Sequence, residues 1–284
     1  LLASLFCQAR SADYFSVRDF GAVGDGITDD SGPFQAAIDA AFLAGGGVVF
    51  VPGALEGWRI ERSLLVLPDV TLKGIHAGPA DAAFLAVHDA GQDAPKTVPY
   101  RPIAGGLLLA QADYPALTLA HNSGVDGLTF VYPDQVPYTA LPIKRYPPML
   151  SVRGFGQQAQ VPGIPRSESI TFDGPLSGRS VTVRNIGALN AYQLLEFVGE
   201  NPPLRQIAQN TVDGLWGYPL SVGINIQNSL DTIVLRNLQF RPTFFHPACG
   251  EISKTSIGLL LGKSDGLFLR SEERRVGKEC RSRW

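Results

Sequence analysis

The chain has 284 residues, of which 45% are hydrophobic, 24 are basic and 26 are acidic, so its formal net charge is −2. This length is sufficient for one large domain with a core, and no apolar run reaches the length of a membrane-spanning helix. A slightly acidic chain is poorly suited to non-specific nucleic-acid binding, which depends on Lys and Arg side chains neutralising phosphates. We therefore expect neither a nucleic-acid partner nor a membrane partner.

The start of the chain suggests export. The sequence begins without Met and reads LLASLFCQARSA, in which Leu1 to Phe6 resembles the end of a signal-peptide apolar core. Ala9-Arg10-Ser11 resembles a small-x-small cleavage site. We predict that residues 1–12 are the remnant of a signal peptide and that the protein is extracellular or periplasmic. The alternative is a frayed segment of a longer chain.

Residues 15–53 predict a strand, a tight loop, a helix and a second strand. Alternation over 15–19 is typical of a strand, and the three glycines of GAVGDG favour a loop. A helix over 30–43 is indicated by apolar positions at i, i+3, i+4, i+7 and i+8. Asp29 and Asp30 precede this helix, and we interpret them as capping residues rather than catalytic ones. The apolar run 48–51 predicts a strand buried on both faces.

This segment also carries a family resemblance. FGAVGDGITDD, FQAAIDAA and GGGVVFVPG resemble the N-terminal signature of the pectate-lyase-like superfamily, which includes rhamnogalacturonases, polygalacturonase-related hydrolases and some phage tailspikes. The resemblance implies an all-β chain forming a right-handed parallel β-helix, whose open N-terminal end is plugged by the helix. We expect residues 13–269 to form one β-helix domain, and the adapter-like residues that follow it indicate a domain incomplete at its C-terminus. We expect polysaccharide as the partner.

Further strands recur along the body. Two phrases, VTVRNI and IVLRNLQF, look like successive coils of a solenoid. Asn185, Asn228 and Asn237 are predicted to occupy coil corners in left-handed geometry. A β-sandwich is the alternative fold, disfavoured because hairpin dipeptides are nearly absent. The predicted strands are 70–75, 116–120, 127–133, 149–154, 169–174, 180–188, 193–199, 222–229, 231–240 and 257–262, with irregular segments at 77–115, 133–148, 155–168 and 200–220.

Two irregular segments contain candidate substrate-binding residues. In the loop VYPDQVPYTALPIKRYPPM, aromatic rings could stack on sugars while cations meet the carboxylates of uronic acids. The second segment, DGLWGYPLS, offers a sugar platform. In both cases the alternative is that the aromatic residues pack a loop against the solenoid. The candidates are Tyr132, Asp134, Lys144, Arg145, Tyr146, Trp216 and Tyr218.

Acid–base chemistry on a polysaccharide requires suitably placed carboxyl groups or a base. Asp173, Glu196 and Asp213 adjoin the repeated strands, but nothing in the sequence pairs them, so no catalytic residue is assigned. The four histidines are scattered, and no metal site or cofactor is expected. Two functions stay open. One is an exported glycoside hydrolase or polysaccharide lyase acting on an acidic, pectin-like polymer, and the other is a non-catalytic β-helix resembling a tailspike or adhesin.

The final residues differ from the rest of the chain. RSEERRVGKECRSRW, residues 270–284, resembles one translated reading frame of a common sequencing adapter, and we expect it to be a non-biological tail. Without its six basic and three acidic residues, the chain retains 18 basic and 23 acidic residues, a formal net charge of −5. The body is therefore more acidic than the whole chain. A solvated basic tail is the alternative.

Overall fold

The computed structural model describes residues 14–75, 106–109, 113–135, 143–153, 178–189, 191–199, 207–217, 219–240 and 255–270. A strand was found in every predicted strand segment that falls within these ranges. The strand predicted over 15–19 is shorter than expected, because it ends at Ser16 and a 3-10 helix follows over Val17–Phe20. The predicted strand 169–174, the signal-peptide remnant and Asp173 lie outside the described residues. Arg270, predicted as the first residue of the tail, ends the last strand, and residues 271–284 also lie outside.

Helix α1 (Ser31–Leu43) and a short 3-10 helix (Val17–Phe20) accompany the strands of the described ranges. The strands are β1 (Tyr14–Ser16), β2 (Gly47–Phe50), β3 (Trp58–Ile60), β4 (Leu64–Val66), β5 (Val70–Lys73), β6 (Leu107–Leu109), β7 (Leu117–Leu119), β8 (Gly124–Asp126), β9 (Thr129–Val131), β10 (Leu150–Arg153), β11 (Gly178–Arg179), β12 (Thr182–Leu189), β13 (Gln193–Val198), β14 (Ile207–Ala208), β15 (Asn210–Gly217), β16 (Val222–Gln227), β17 (Ile233–Phe240), β18 (Ile257–Leu261) and β19 (Leu267–Arg270).

All strand pairings within the described residues are parallel. The larger sheet has 11 strands, with β1-β2-β5-β8-β12-β15-β17-β19 as its main path. A six-stranded sheet runs β18-β16-β13-β10-β7-β4, and a two-stranded sheet pairs β11 with β14. Neighbours in each sheet are far apart in sequence, as in a solenoid where each coil adds one strand per sheet. The parallel β-helix is therefore confirmed, and the antiparallel β-sandwich alternative is excluded.

The core fills the inside of the coil and is formed by the apolar side chains that point inward from the sheets. In β12, Val183 and Ile186 are buried, while Arg184 between them is exposed. These inward positions are three residues apart because Asn185 has φ of 51°. Asn237 and Asn228 also have positive φ, 55° and 57°, so the predicted left-handed geometry of these asparagines is confirmed.

β15 lies in the segment 200–220, which the sequence predicted to be irregular. That prediction was wrong for residues 210–217. Gly214 has φ of 83°, and this left-handed residue separates the inward Val212 from the inward Leu215 by three positions. The alternation of period two is thereby broken inside the strand, which explains why the pattern favoured a loop. The strand β6, within 77–115, was missed as well.

Helix α1 begins and ends within one residue of its predicted limits. Asp30 is at the N-cap position, but its side chain makes no capping hydrogen bond. It accepts hydrogen bonds from the Val23 and Gly24 N–H groups, at 2.7 and 3.1 Å, and so closes the glycine-rich loop. Burial raises the pKa of Asp30 despite these two bonds. The first-turn donor at Ser31 is satisfied by Asp29 instead, over 2.9 Å.

Gln35, on the buried side of α1, pairs with the backbone of β4. Its Oε1 accepts from the Leu65 N–H at 2.9 Å, and its Nε2 donates to the Leu65 carbonyl at 3.1 Å. Asp39 Oδ1 accepts from the same Nε2 at 2.9 Å, which orients the amide. Because β4 is the first strand of the six-stranded sheet, Gln35 supplies the hydrogen bonds that a preceding strand would make.

Candidate functional site

The loop that follows β9 contains five of the predicted site residues. Tyr132 and Tyr146 are buried, and their rings stack with centroids 4.0 Å apart and planes 14° apart. Burial, and then the neighbouring Tyr146, raise the pKa of the Tyr132 phenol. This is the packing arrangement that the sequence left open as an alternative, because neither ring face is open to a sugar. The pair fixes the base of the loop against the core.

The charged residues of this loop are on the surface. Lys144 and Arg145 are exposed, and Lys144 Nζ lies 3.8 Å from Asp134 Oδ2, with both side chains mostly in solvent. The Lys144 N–H donates to the side-chain oxygen of the buried Gln135 at 2.7 Å. An exposed ion pair of this kind contributes at most about 1 kcal/mol, so the Lys144 charge is still available to an external anion.

Trp216 belongs to β15 and is half-buried on its outward side. A Cβ placed on Gly214 would lie 3.3 Å from Trp216 Cζ2 and 3.3 Å from Asn185 Oδ1. The indole therefore lies close to Gly214, which neighbours Asn185 of the adjacent coil. Tyr218, its predicted companion, lies outside the described residues.

A column of alternating charge runs along the outward face of the larger sheet. We call it the charged column; each member is paired in register with the next across adjacent strands. Its members are Lys73 on β5, Asp126 on β8, Arg184 on β12, Asp213 on β15 and Arg236 on β17. Adjacent strands are about 4.8 Å apart, so the column is a straight row of charges along the solenoid axis.

The two carboxylates of the charged column already have partners. Asp126 is 4.0 Å from Lys73 Nζ and accepts from Asn185 Nδ2 at 3.0 Å. Asp213 is 2.8 Å from Arg236 and accepts from Asn237 at 2.7 Å. Each amide donor thus comes from the left-handed residue of the following coil.

Arg184, in the middle of the charged column, is exposed. Within the described part of the chain no carboxylate lies within ion-pair distance of its guanidinium. Asp126 and Asp213, its neighbours in register, are engaged elsewhere. Arg184 is therefore a guanidinium whose five N–H donors are available to a ligand.

The sequence itself contains a signal for this column. The coils repeat an apolar residue, a charged residue, Gly or Asn, and an apolar residue, as LKGI, VDGL, VRNI, VDGL and LRNL. The charge at the second position alternates in sign from coil to coil. The two Arg-Asn coils on their own carry the same charge and do not predict the alternation.

Glu196 has a different environment, on the outward side of the six-stranded sheet. It is buried, and its Oε1 accepts from Arg153 at 2.6 Å and from Ser151 Oγ at 2.6 Å. Arg153 Nε also donates to Ser151 Oγ at 2.9 Å. Glu196 and Asp213 lie in different sheets, each paired with an arginine, so the structure does not assemble them into a two-carboxylate catalytic site.

Within the ranges that the structure describes, no group of three or more His, Cys, Asp or Glu side chains is placed to hold a metal ion. No helix in the described ranges is long and apolar enough to cross a membrane.

The fold and its polar outward face define a parallel β-helix protein. Comparison with known proteins narrows this class. Residues 14–74 match the family described as rhamnogalacturonase A/epimerase, pectate lyase-like. The predicted resemblance to the pectate-lyase-like superfamily is thereby confirmed, over this N-terminal segment.

Similar proteins include enzymes and a phage protein. Over 38 residues the chain is 60% identical to mannuronan C5-epimerase AlgE5 of Azotobacter vinelandii, covering 13% of this chain and 4% of that protein. The tail spike protein of Shigella phage Sf6 is 35% identical over 69 residues, covering 23% of this chain and 11% of that protein. The solved A-module of mannuronan C-5 epimerase AlgE6 of Azotobacter vinelandii has a TM-score of 0.47 and 20% identity, covering 80% of this chain and 57% of that chain. The matched segments thus span a small part of the curated relatives.

Proposed function

We propose that this protein binds and acts on an acidic polysaccharide outside the cytoplasm. The observation that carries the proposal is Arg184, an exposed guanidinium in the middle of the charged column, whose neighbouring carboxylates are already paired. Arg recognises carboxylates with two parallel hydrogen bonds, which suits the carboxylate of a uronic acid. Trp216 is half-buried three residues after Asp213 on the same strand, and its ring is proposed as an apolar surface for a sugar.

The similar proteins support the same substrate class. Mannuronan, the polymer in the names of the similar epimerases, is a polyuronate, and the identity to one of them is 60% over the matched segment. The tail spike protein supports the alternative, a β-helix that presents a binding surface. We propose an enzyme, a hydrolase or a lyase, as the first possibility and non-catalytic binding as the second. No residue is assigned as catalytic.

The loop after β9 is proposed as a second contact for the polymer. Lys144 and Arg145 are exposed there, and the stacked tyrosines give them a fixed base. Each exposed cation contributes about 0 to 1 kcal/mol in an ion pair, so affinity requires several contacts acting together. Asp134, Trp216 and Tyr218 remain candidates for hydroxyl or ring contacts.

Calorimetric titration tests the proposal. We expect the full chain to bind polygalacturonate more tightly than a neutral glucan, and to lose affinity as salt is added. Arg184→Ala should weaken polygalacturonate binding about fivefold, equivalent to about 1 kcal/mol. The combined Lys144→Ala and Arg145→Ala change should weaken it less.

The matched control is Arg59→Ala. Arg59 forms an exposed ion pair with Glu61 at 2.6 Å and lies outside the charged column and the loop after β9. This change removes one positive charge, as Arg184→Ala does, and should leave binding unchanged. Equal affinity for both polymers, or equal effects of the Arg59 and Arg184 changes, would overturn the proposal.

A further inference from the structure

Each cation of the charged column is separated from the next cation by one carboxylate. Lys73 lies on β5, Arg184 two strands later on β12, and Arg236 two strands after that on β17. With about 4.8 Å between adjacent strands, the cations recur about every 10 Å along the solenoid axis. From β5 to β17 the repeat of the charge pattern is therefore two coils rather than one, and it ends at β19, where Arg270 pairs in register with Arg236.

The cations stand further out into solvent than the carboxylates. The Lys73 and Arg236 side chains are 52% and 48% exposed, whereas the Asp126 and Asp213 side chains are 23% and 17% exposed. A ligand lying on this face would meet ammonium and guanidinium groups at every second coil. Between them it would meet recessed carboxylates that accept hydrogen bonds and repel anions.

We infer that the charged column selects an extended polyuronate in which alternate sugars turn their carboxylates towards the protein. This inference rests on the proposed function. A sugar residue of an extended chain is similar in length to the spacing of the coils, and in a two-fold chain successive sugars face opposite sides. Every second carboxylate then points to the same side, with the same spacing as Lys73, Arg184 and Arg236.

The recessed carboxylates determine which polyuronates are disfavoured. A polymer presenting a carboxylate to the protein at every sugar would place anions over Asp126 and Asp213, which like-charge repulsion disfavours. In the two-fold chain these positions receive sugar hydroxyls, which can donate to a carboxylate. The Asn185 and Asn237 amides hold both carboxylates in place, over 3.0 and 2.7 Å.

Titration with a length series of oligouronates, from disaccharide to heptasaccharide, tests the inference. We expect affinity to rise in steps, with a clear gain for each completed pair of sugars and little gain for the odd one. Arg184→Gln should remove the gain between disaccharide and tetrasaccharide, because the remaining cations are then about 20 Å apart. Arg184→Lys, which keeps the charge, should restore most of that gain.

A second variant tests the role of the recessed carboxylates. Changing both Asp126 and Asp213 to Asn keeps the side-chain shape and removes the repulsion, so affinity should then rise with each added sugar. A smooth rise in the unaltered protein, or steps that persist in the double variant, would overturn the inference and leave the proposed function intact. Failure to bind any oligouronate or the polymer would overturn both.

Discussion

Arg184 and Arg236 occupy the same position of the coil two strands apart, yet their surroundings differ. Arg236 is 2.8 Å from Asp213, whereas Arg184 is exposed between carboxylates engaged by other donors. The sequence shows two similar Arg-Asn phrases and therefore suggests equal roles. The difference depends on which neighbouring coil carries the carboxylate and on where each amide donor points. The sequence of a single strand contains neither piece of information.

The packing of the tyrosines in the loop after β9 also could not be predicted from the sequence. Their spacing in the sequence fitted either an open sugar platform or a packed loop base. The stack between Tyr132 and Tyr146 requires the loop to return on itself, and this depends on contacts with the core. The exposed charges Lys144 and Arg145 could be predicted, because long charged side chains are rarely buried without partners.

Asp29 gives a prediction about acid stability. Burial alone would raise its pKa, but hydrogen bonds from Ser31 and the Glu61 N–H, with the Arg62 charge, hold the pKa below its usual value. A lowered folded-state pKa contributes stability above the unfolded pKa of about 4, and this is lost as pH falls through the folded pKa. Urea unfolding of Asp29→Asn should therefore show a deficit at neutral pH that shrinks towards pH about 2. A deficit that is constant with pH would contradict this account.

At the scale of single elements, the residues with left-handed geometry determine which side chains of each long strand point into the core. Gly127, Asn185, Gly214 and Asn237 all have positive φ and follow the charged residue of their coil. The left-handed geometry was predicted for the asparagines but not for Gly127 or Gly214. Because one such residue shifts the inward positions by one, a search for strict alternation mistakes β15 for a loop.

Substitutions at Gly214 test this explanation. Its φ is 83°, and Asn occupies the equivalent positions in the neighbouring coils, so Gly214→Asn should be tolerated with a small loss of stability. Gly214→Val should cost about 1–3 kcal/mol, because a β-branched residue is strained in this region. Chemical unfolding of both variants measures the difference. Equal stabilities would mean that the left-handed turn is not required in β15.

Gln35 provides the second test at this scale. Gln35→Leu removes both hydrogen bonds to Leu65 and leaves a buried N–H and a buried carbonyl without partners. The expected loss is about 1–3 kcal/mol for an unsatisfied buried group. Asp39→Asn is the matched control, because Asn keeps an oxygen that can accept from Gln35 Nε2, and its effect should be small.

The role of α1 as a shield at the end of the solenoid remains a prediction, and the same variant addresses it. If Gln35 protects the edge of β4 from pairing with other chains, Gln35→Leu should self-associate, as measured by light scattering after size exclusion. A variant that is destabilised but stays monomeric would show that Gln35 contributes to the stability of the fold and does not protect the edge of β4.

At the scale of the whole molecule, the fold could be predicted well and the site poorly. The glycine-rich loop, helix and buried strand of residues 15–53 form a local signature, and the apolar strands repeat along the chain. The functional face is built from one residue per coil, separated by about 20 to 60 positions, and becomes visible only when the strands are aligned in register. Export and the appended tail remain predictions, and resequencing across Arg270 decides the second.

The central claim is that an acidic polysaccharide lies along the charged column, with Arg184 at its centre. A crystal structure of the full chain with a bound oligouronate tests this claim most directly. We predict sugar density on the outward face of the larger sheet, running parallel to the solenoid axis, with a carboxylate about 3 Å from the Arg184 guanidinium. Sugar bound elsewhere while the face around Arg184 and Trp216 stays open to solvent would contradict the account.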